Sequence, residues 1–218
     1  MSSVTPTPSP ESADARAARA PQQERGQRRV EQILDAAEAV FAEAGVDATS
    51  MQAIADRAGA SVGSLYHFFP NKDALVEALG MRYADRVSRT NEEAMPLELA
   101  HLPTEELFDR VLSAQMRFIA STPAFEAVQD AIHRNCPAVK DAMNNALVGH
   151  VTKFLAVRYP SVPPARRQVS AIVSVSTVHA LVHLAAQVPA ELRDGVLAEA
   201  KRMLVAHYER YTEGGPAA

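Results

Sequence analysis

The chain has 218 residues, 47% of them hydrophobic and 6% aromatic, a size that suits one large domain or a small domain joined to a larger one. Its formal net charge of −4 excludes a uniformly basic nucleic-acid coat, so any DNA contact has to come from local charge. The one cysteine, Cys136, excludes an intrachain disulfide and fits a reducing compartment, expected to be the cytoplasm.

Alanine, the best helix former, is abundant, and no stretch shows the β-branched and aromatic alternation of a strand. The expected fold class is therefore all-α. The first residues, MSSVTPTPSPESADA, have no apolar core and do not read as a signal peptide. Residues 1–24 are rich in Pro, Ser, Thr and Ala, bury too little to offset chain entropy, and are expected to be disordered. Arg25, Arg28 and Arg29 follow, and two readings stand: phosphate contacts, or the solvated start of a helix.

Val30, Ile33, Leu34, Ala37, Val40 and Phe41 recur at helical spacing and predict a first helix, ended by Gly45. Thr49 or Ser50 caps a short second helix with Met51, Ile54, Ala55 and Ala58 facing inward. Gly59 ends it in a tight turn, where a left-handed residue is needed. Ser61 caps a third helix over about 62–68. Pro70 breaks the chain, and Asn71 caps a fourth helix that starts at Lys72 and runs to about Asn91.

A longer helix followed by two short ones across a tight turn makes a helix-turn-helix, whose last helix enters the major groove of DNA. That explains the composition of AGASVGSLYHFFPNKDAL, residues 58–75. Gly63 and Ser64 are small enough for the backbone to approach DNA. Ser61, Ser64, Tyr66 and His67 offer hydrogen bonds to phosphates or bases, and Val62 can touch a thymine methyl. Leu65 and Phe69 hold the helix onto its neighbours, and Lys72 can reach a phosphate. Each polar residue here also has an ordinary reading, as a cap or a solvated side chain.

The run TSMQAIADRAGASVGSLYHFFPNKDALVEAL, residues 49–79, closely resembles the DNA-binding signature of the tetracycline-repressor (TetR) family. Thr49, Ile54, Ala55, Ala58, Gly59, Ser61, Gly63, Leu65, Tyr66, Phe69, Lys72 and Leu75 match its pattern. Ala60 replaces the usual valine, and Phe68 stands where tyrosine or histidine is common. The specific resemblance covers about residues 28–80. It implies a homodimeric transcriptional regulator, usually a repressor, whose helical C-terminal domain dimerises and binds a small inducer that reorients the two DNA-reading heads. The domains expected are a disordered extension (1–24), a helix-turn-helix head (25–70), a larger helical-bundle domain for ligand and dimerisation (71–212) and a flexible tail (213–218). The candidate DNA-contacting set is Arg28, Thr49, Ser50, Gln52, Ser61, Val62, Gly63, Ser64, Tyr66, His67 and Lys72. The expected partners are double-stranded DNA with a palindromic operator, a second copy of the chain, and an apolar or aromatic inducer. No cofactor is expected.

In the C-terminal half, Pro96 and Pro103 mark a loop, and Thr104 caps a helix bearing Leu107, Val111, Leu112, Met116, Phe118 and Ile119. Thr122 caps another, with Pro123 at its first position. Pro137 opens the next, ending near Tyr159. Pro163 and Pro164 precede a long helix to about Val188, and Pro189 starts the last, ending near Tyr211. From Val169 to Val188 there is no Asp, Glu, Lys or Arg, a length that can span a bilayer. Its serines and histidines favour a buried core or subunit interface instead. The last two helices are the natural dimer surface.

By analogy with the family, Met116, Phe118, Phe125, His133, Met143, Phe154, His179 and His183 line an inducer pocket, although each also reads as ordinary core. His179 and His183, four apart, have a metal-ligand spacing, with His133 or Asp130 as a third candidate. Two histidines alone fall short of a site, so no metal is expected. Cys136 before a proline at a helix start reads as an inert boundary residue or a redox sensor. There is no glycine-rich phosphate loop, nucleophile elbow or acidic metal cluster, so no enzyme is expected. A DNA-binding dimer whose second domain holds no ligand is the alternative.

Overall fold

The computed structural model describes the backbone of residues 10–212 and the side chains of residues 24–211. The described residues form nine α-helices and one short 3-10 turn, in the order α1 (Pro10–Ala44), α2 (Met51–Arg57), α3 (Val62–Phe68), α4 (Lys72–Ala94), the 3-10 turn (Leu97–Leu99), α5 (Thr104–Ala120), α6 (Phe125–Asn135), α7 (Pro137–Arg158), α8 (Pro164–Gln187) and α9 (Ala190–Thr212). The chain divides into two units, the first ending at Leu75 and the second beginning at Val76, so the division falls inside α4.

In the first unit α1 packs on α2 and α2 on α3. Ile33, Phe41, Ile54, Leu65 and Leu75 are completely buried or nearly so. Each contributes about 2 kcal/mol of gross transfer free energy, and Leu65 is the anchor that seats α3. Local chemistry sets the helix ends. Ser50 Oγ accepts from the Ala53 amide, Ser61 Oγ from the Ser64 amide, both at 3.1 Å, and Asn71 Oδ1 from the Ala74 amide at 2.8 Å. Gly45 and Gly59 carry φ of 78° and 56°, the left-handed region that glycine enters without strain. At Gly59 the turn is closed by two bonds, Gly59 amide to Asp56 carbonyl and Ala60 amide to Ala55 carbonyl, the Schellman arrangement.

Three expectations change. The disordered extension 1–24 is replaced from Pro10 onward by the first turns of α1, a segment rich in Ala, Arg, Gln and Glu, which favour helix. Residues 1–9, and the tail 213–218, lie outside the described residues. Thr122 does not cap α6, because its hydroxyl accepts from Arg86 at 2.9 Å and the helix begins only at Phe125. Thr104 sits inside α5 after Pro103, with its hydroxyl accepting from Arg158.

In the second unit α8 packs against α7, α9 and α5, while α5 also meets α9 and α6 meets α7. Leu155, Tyr159, Ala171, Val175 and Tyr208 form one core cluster, with the Tyr159 and Tyr208 rings stacked at 6.0 Å. At Gly80 the α4 backbone rests on α6 and α7. A Cβ there would lie 2.5 Å from Ile132 Cδ1 and 2.9 Å from Val139 Cγ1. Among the described helices, α8 is the one long and apolar enough to cross a membrane by composition. One of its faces belongs to the core, through Ala171, Val175, Val182 and Ala185.

Candidate nucleic-acid interface and ligand chamber

In the head, burial of Leu65 and Phe69 turns the opposite side of α3 outward. Tyr66, 49% exposed, stands there with His67, Ser61 and Gly63, while Val62 and Ser64 are half-buried. A Cβ on Gly63 would meet nothing within 4 Å, and its backbone needs no positive φ. The glycine therefore has no packing reason inside the chain, and the space it leaves is on the outside. Ser50 and Gln52 are exposed at the start of α2, with Gln52 donating to Asp56 at 2.7 Å. Arg28 is exposed and lies 3.7 Å from Glu24, a pair worth little in water.

Two members of the DNA-contacting set are committed elsewhere. The Lys72 ammonium, expected on a phosphate, donates to the carbonyls of Val46 (2.7 Å), Asp47 (3.1 Å) and Thr49 (3.0 Å). It clamps the α1–α2 turn, whose carbonyls have left the helical ladder and need donors. Thr49, expected to face DNA, is buried, and its hydroxyl donates to the Gly45 carbonyl at 2.7 Å. Arg29 is likewise a structural cation. Its guanidinium donates to the Gly59 carbonyl at 3.0 Å and to that of Ala58 at 3.4 Å, fixing the turn before α3.

The second unit encloses a chamber of about 370 Å³ between α4, α5, α6, α7, α8 and Tyr208 of α9. Phe125, His133, Met143, Phe154, His179 and His183 line it. Met116 and Phe118, the other two expected, do not. The chamber stripe of α5 runs through Leu107, Phe108, Val111, Gln115 and Ile119, and both residues are rotated off it. Phe118 instead packs its ring edge-on against Phe125 at 4.9 Å, with the Arg86 guanidinium 5.3 Å from its centre.

Polar groups gather at the two ends of an apolar body. At one, Ser174 and the Tyr208 hydroxyl are 2.7 Å apart, and burial pushes the Tyr208 phenol up to about 12. Arg158 lies nearby, donating to the carbonyls of Ala100 and Leu102, to Thr104 Oγ1 and to the Tyr159 hydroxyl. At the other, α6 contributes Glu126, Gln129, Asp130 and His133, α7 adds Lys140, and α8 adds His179 and His183. The Gln187 side-chain amide donates to His183 Nε2 at 2.8 Å, which leaves the ring proton on Nδ1, 3.1 Å from Glu126 Oε1. His133 Nδ1–H donates to the Gln129 carbonyl at 2.8 Å. Packing around His179 holds its imidazole below the usual range, with His133 and His183 adding to the effect. His179 still shows surface to a water-sized sphere because it faces the chamber.

His183 thus has Nε2 taken by Gln187 and Nδ1 set against Glu126. Among the described residues no three His, Cys, Asp or Glu are arranged to hold a metal ion. Cys136 is buried. Glu126 and Gln129 escaped the sequence reading, yet with Asp130 and His133 they fall at i, i+3, i+4 and i+7, one polar stripe of a helix. That stripe was the available signal.

Two family models match the chain: bacterial regulatory proteins of the tetR family over residues 33–79, and a tetracyclin repressor-like C-terminal domain over residues 103–207. The transcriptional repressor KstR of Mycobacterium tuberculosis is 41% identical over 68 residues, 31% of this chain and 31% of its own length. KstR2 of the same species is 28% identical over 130 residues, 53% of this chain and 65% of its own length. The chain thus spans from about a third to just under two thirds of these curated relatives. Among solved structures, a TetR-family transcriptional regulator from Streptomyces coelicolor is 26% identical with a TM-score of 0.62, covering 84% of this chain and 99% of that one.

Proposed function

The chain belongs to the tetR family of bacterial regulatory proteins, and on that premise we propose that it is a dimeric transcriptional repressor that reads a palindromic operator and is released by a small molecule held in the chamber. The observation that carries the DNA reading is the outer side of α3. Tyr66, His67 and Gly63 are exposed on a helix capped by Ser61, whose other side is fixed by Leu65 and whose preceding turn is pinned by Arg29, while Lys72 ties the start of α4 to the α1–α2 turn. A reading helix has to be rigid, because a loose one loses discrimination between base edges.

The dimer reading rests on the outward faces of α8 and α9. Val169, Ile172, Val173 and Leu184 on α8, with Leu192 and Met203 on α9, are each 44–60% exposed. Large apolar side chains grouped on neighbouring helices are suited to a second copy related by a two-fold axis. Two heads so related require two inverted half-sites, spaced by whole turns of the duplex. The ligand reading rests on the chamber, whose size is within the usual range for small-molecule sites. It counts against a second domain that only dimerises. Such a regulator works in the cytoplasm, where the chromosome is.

Selection of bound duplexes from a random-sequence library with the full chain tests the proposal. The expected result is enrichment of one inverted repeat. Binding that stays independent of sequence at low and high salt would overturn it.

A further inference from the structure

The chamber's two ends differ in the charge they have left to offer, and from this the class of its ligand can be inferred; the step rests on the chamber being a ligand site, as proposed above. Four lining residues carry full charges: Glu126, Asp130, Lys140 and Arg158. Arg158 donates to Ala100, Leu102, Thr104 and Tyr159, all neutral groups, so it keeps its charge, but at the Ser174–Tyr208 end. At the Glu126 end, about five helical turns away along α7, Lys140 stands alone against two carboxylates.

The carboxylate of Glu126 is itself incomplete. Its Oε1 is shut off from water yet accepts no hydrogen bond. The His183 ring nitrogen lies 3.1 Å away but off the line of its N–H, so the contact is electrostatic only. That oxygen is out of a ligand's reach, but the Glu126 side chain as a whole is 36% exposed and lines the chamber together with Asp130. Burial holds the His179 imidazole below the usual range, so it adds no positive charge there. Between the ends the walls are mainly apolar, through Leu107, Phe108, Val111, Leu147, Val151 and Val175, with Asn91 and Gln115 bonded to each other. At about 30 Å³ for each water-sized group, 370 Å³ takes about a dozen non-hydrogen atoms.

We propose that the chamber binds an amphiphilic cation, with an apolar body and an ammonium or amidinium head donating to Glu126 and Asp130. An ammonium brings three N–H donors and the charge that two carboxylates lack, whereas a carboxylate head would face them with only Lys140 in support. The inducer is thus apolar in its body but not at its head.

Calorimetric titration of the full chain at pH 7.5 with decylamine, decanol and decanoate, each below its micelle concentration, tests this. Decylamine is expected to bind at least about ten-fold more tightly than decanol, with decanoate weakest, and Glu126→Gln to remove about ten-fold for the amine while leaving decanol unchanged. Asp130→Asn provides the same comparison if the first variant melts early. Decanoate binding as well as the amine, or Glu126→Gln weakening amine and alcohol equally, overturns the charge assignment and leaves the chamber a ligand site. Binding by none of the three overturns both.

Discussion

Replacing Lys72 with methionine keeps the length and apolar stem of the side chain and removes only the ammonium. Three carbonyls lose their donor. That of Asp47 is exposed, so water replaces the bond at little cost. Those of Val46 and Thr49 are partly buried at 2.7 and 3.0 Å. At about 1 kcal/mol for each partly buried bond, the head loses about 2 kcal/mol, a large share of a typical domain's stability but not all of it. Urea unfolding followed by circular dichroism measures the loss. A parallel titration of DNA affinity against salt separates the two roles this lysine could have. A clamp leaves the slope of log K against log salt unchanged, because no phosphate contact has been removed. If stability instead holds to within about 0.5 kcal/mol while the slope flattens by about 0.9, the ammonium was on a phosphate and the clamp argument is wrong.

Tyr66→Ala should leave the unfolding midpoint within about 0.5 kcal/mol of the parent, because the ring is half exposed, while weakening specific DNA binding several-fold in an anisotropy titration. Gly80→Ala should destabilise by about 1–2 kcal/mol in spite of alanine's better helix propensity, since the new methyl overlaps buried Ile132 and Val139; adding Ile132→Val should recover part of that in the same urea assay. Tyr208, held at about 12 against an ordinary value of 10.0, contributes stability that is fully present below pH 10 and lost as the pH rises through 12. The margin of the parent over Tyr208→Phe should narrow by roughly 2–3 kcal/mol across that window in chemical denaturation, and a constant margin would contradict the burial argument.

The head was legible because its signals act over three or four residues. Ser50, Ser61 and Asn71 cap the helix that begins beside them, and Gly59 answers a local demand for positive φ. The long cations were not legible. Arg29 finds carbonyls about thirty positions away, Lys72 about twenty-five and Arg158 more than fifty, so nothing near them in sequence says that they are already engaged. A basic residue beside a DNA-binding motif invites a phosphate reading that only the fold can withdraw. On the chamber, aromatic and histidine positions on α6, α7 and α8 were readable, but a small rotation of α5 exchanged Met116 and Phe118 for Gln115 and Ile119. Glu126 was passed over because a charge on a helix is usually solvated, and Asp130 was read only as a candidate metal ligand.

The helix α8 carries two tasks on opposite sides of one rod. Ser174, Val175, Val178 and Val182 look into the chamber, while Val169, Ile172, Val173 and Leu184 are exposed. A rotation of about 10° that makes room for a ligand sweeps an outer side chain, about 5 Å from the axis, through about 1 Å. With a second copy packed on that outer face, neither chamber fills without the other sensing it. Occupancy and assembly then become linked equilibria, and linkage is reciprocal. A ligand that tightens the pair must itself bind more tightly to paired chains, and one that loosens it must bind better to single ones. The Hill coefficient for ligand, measured above and below the concentration at which the pair dissociates, would report which sign this chain uses.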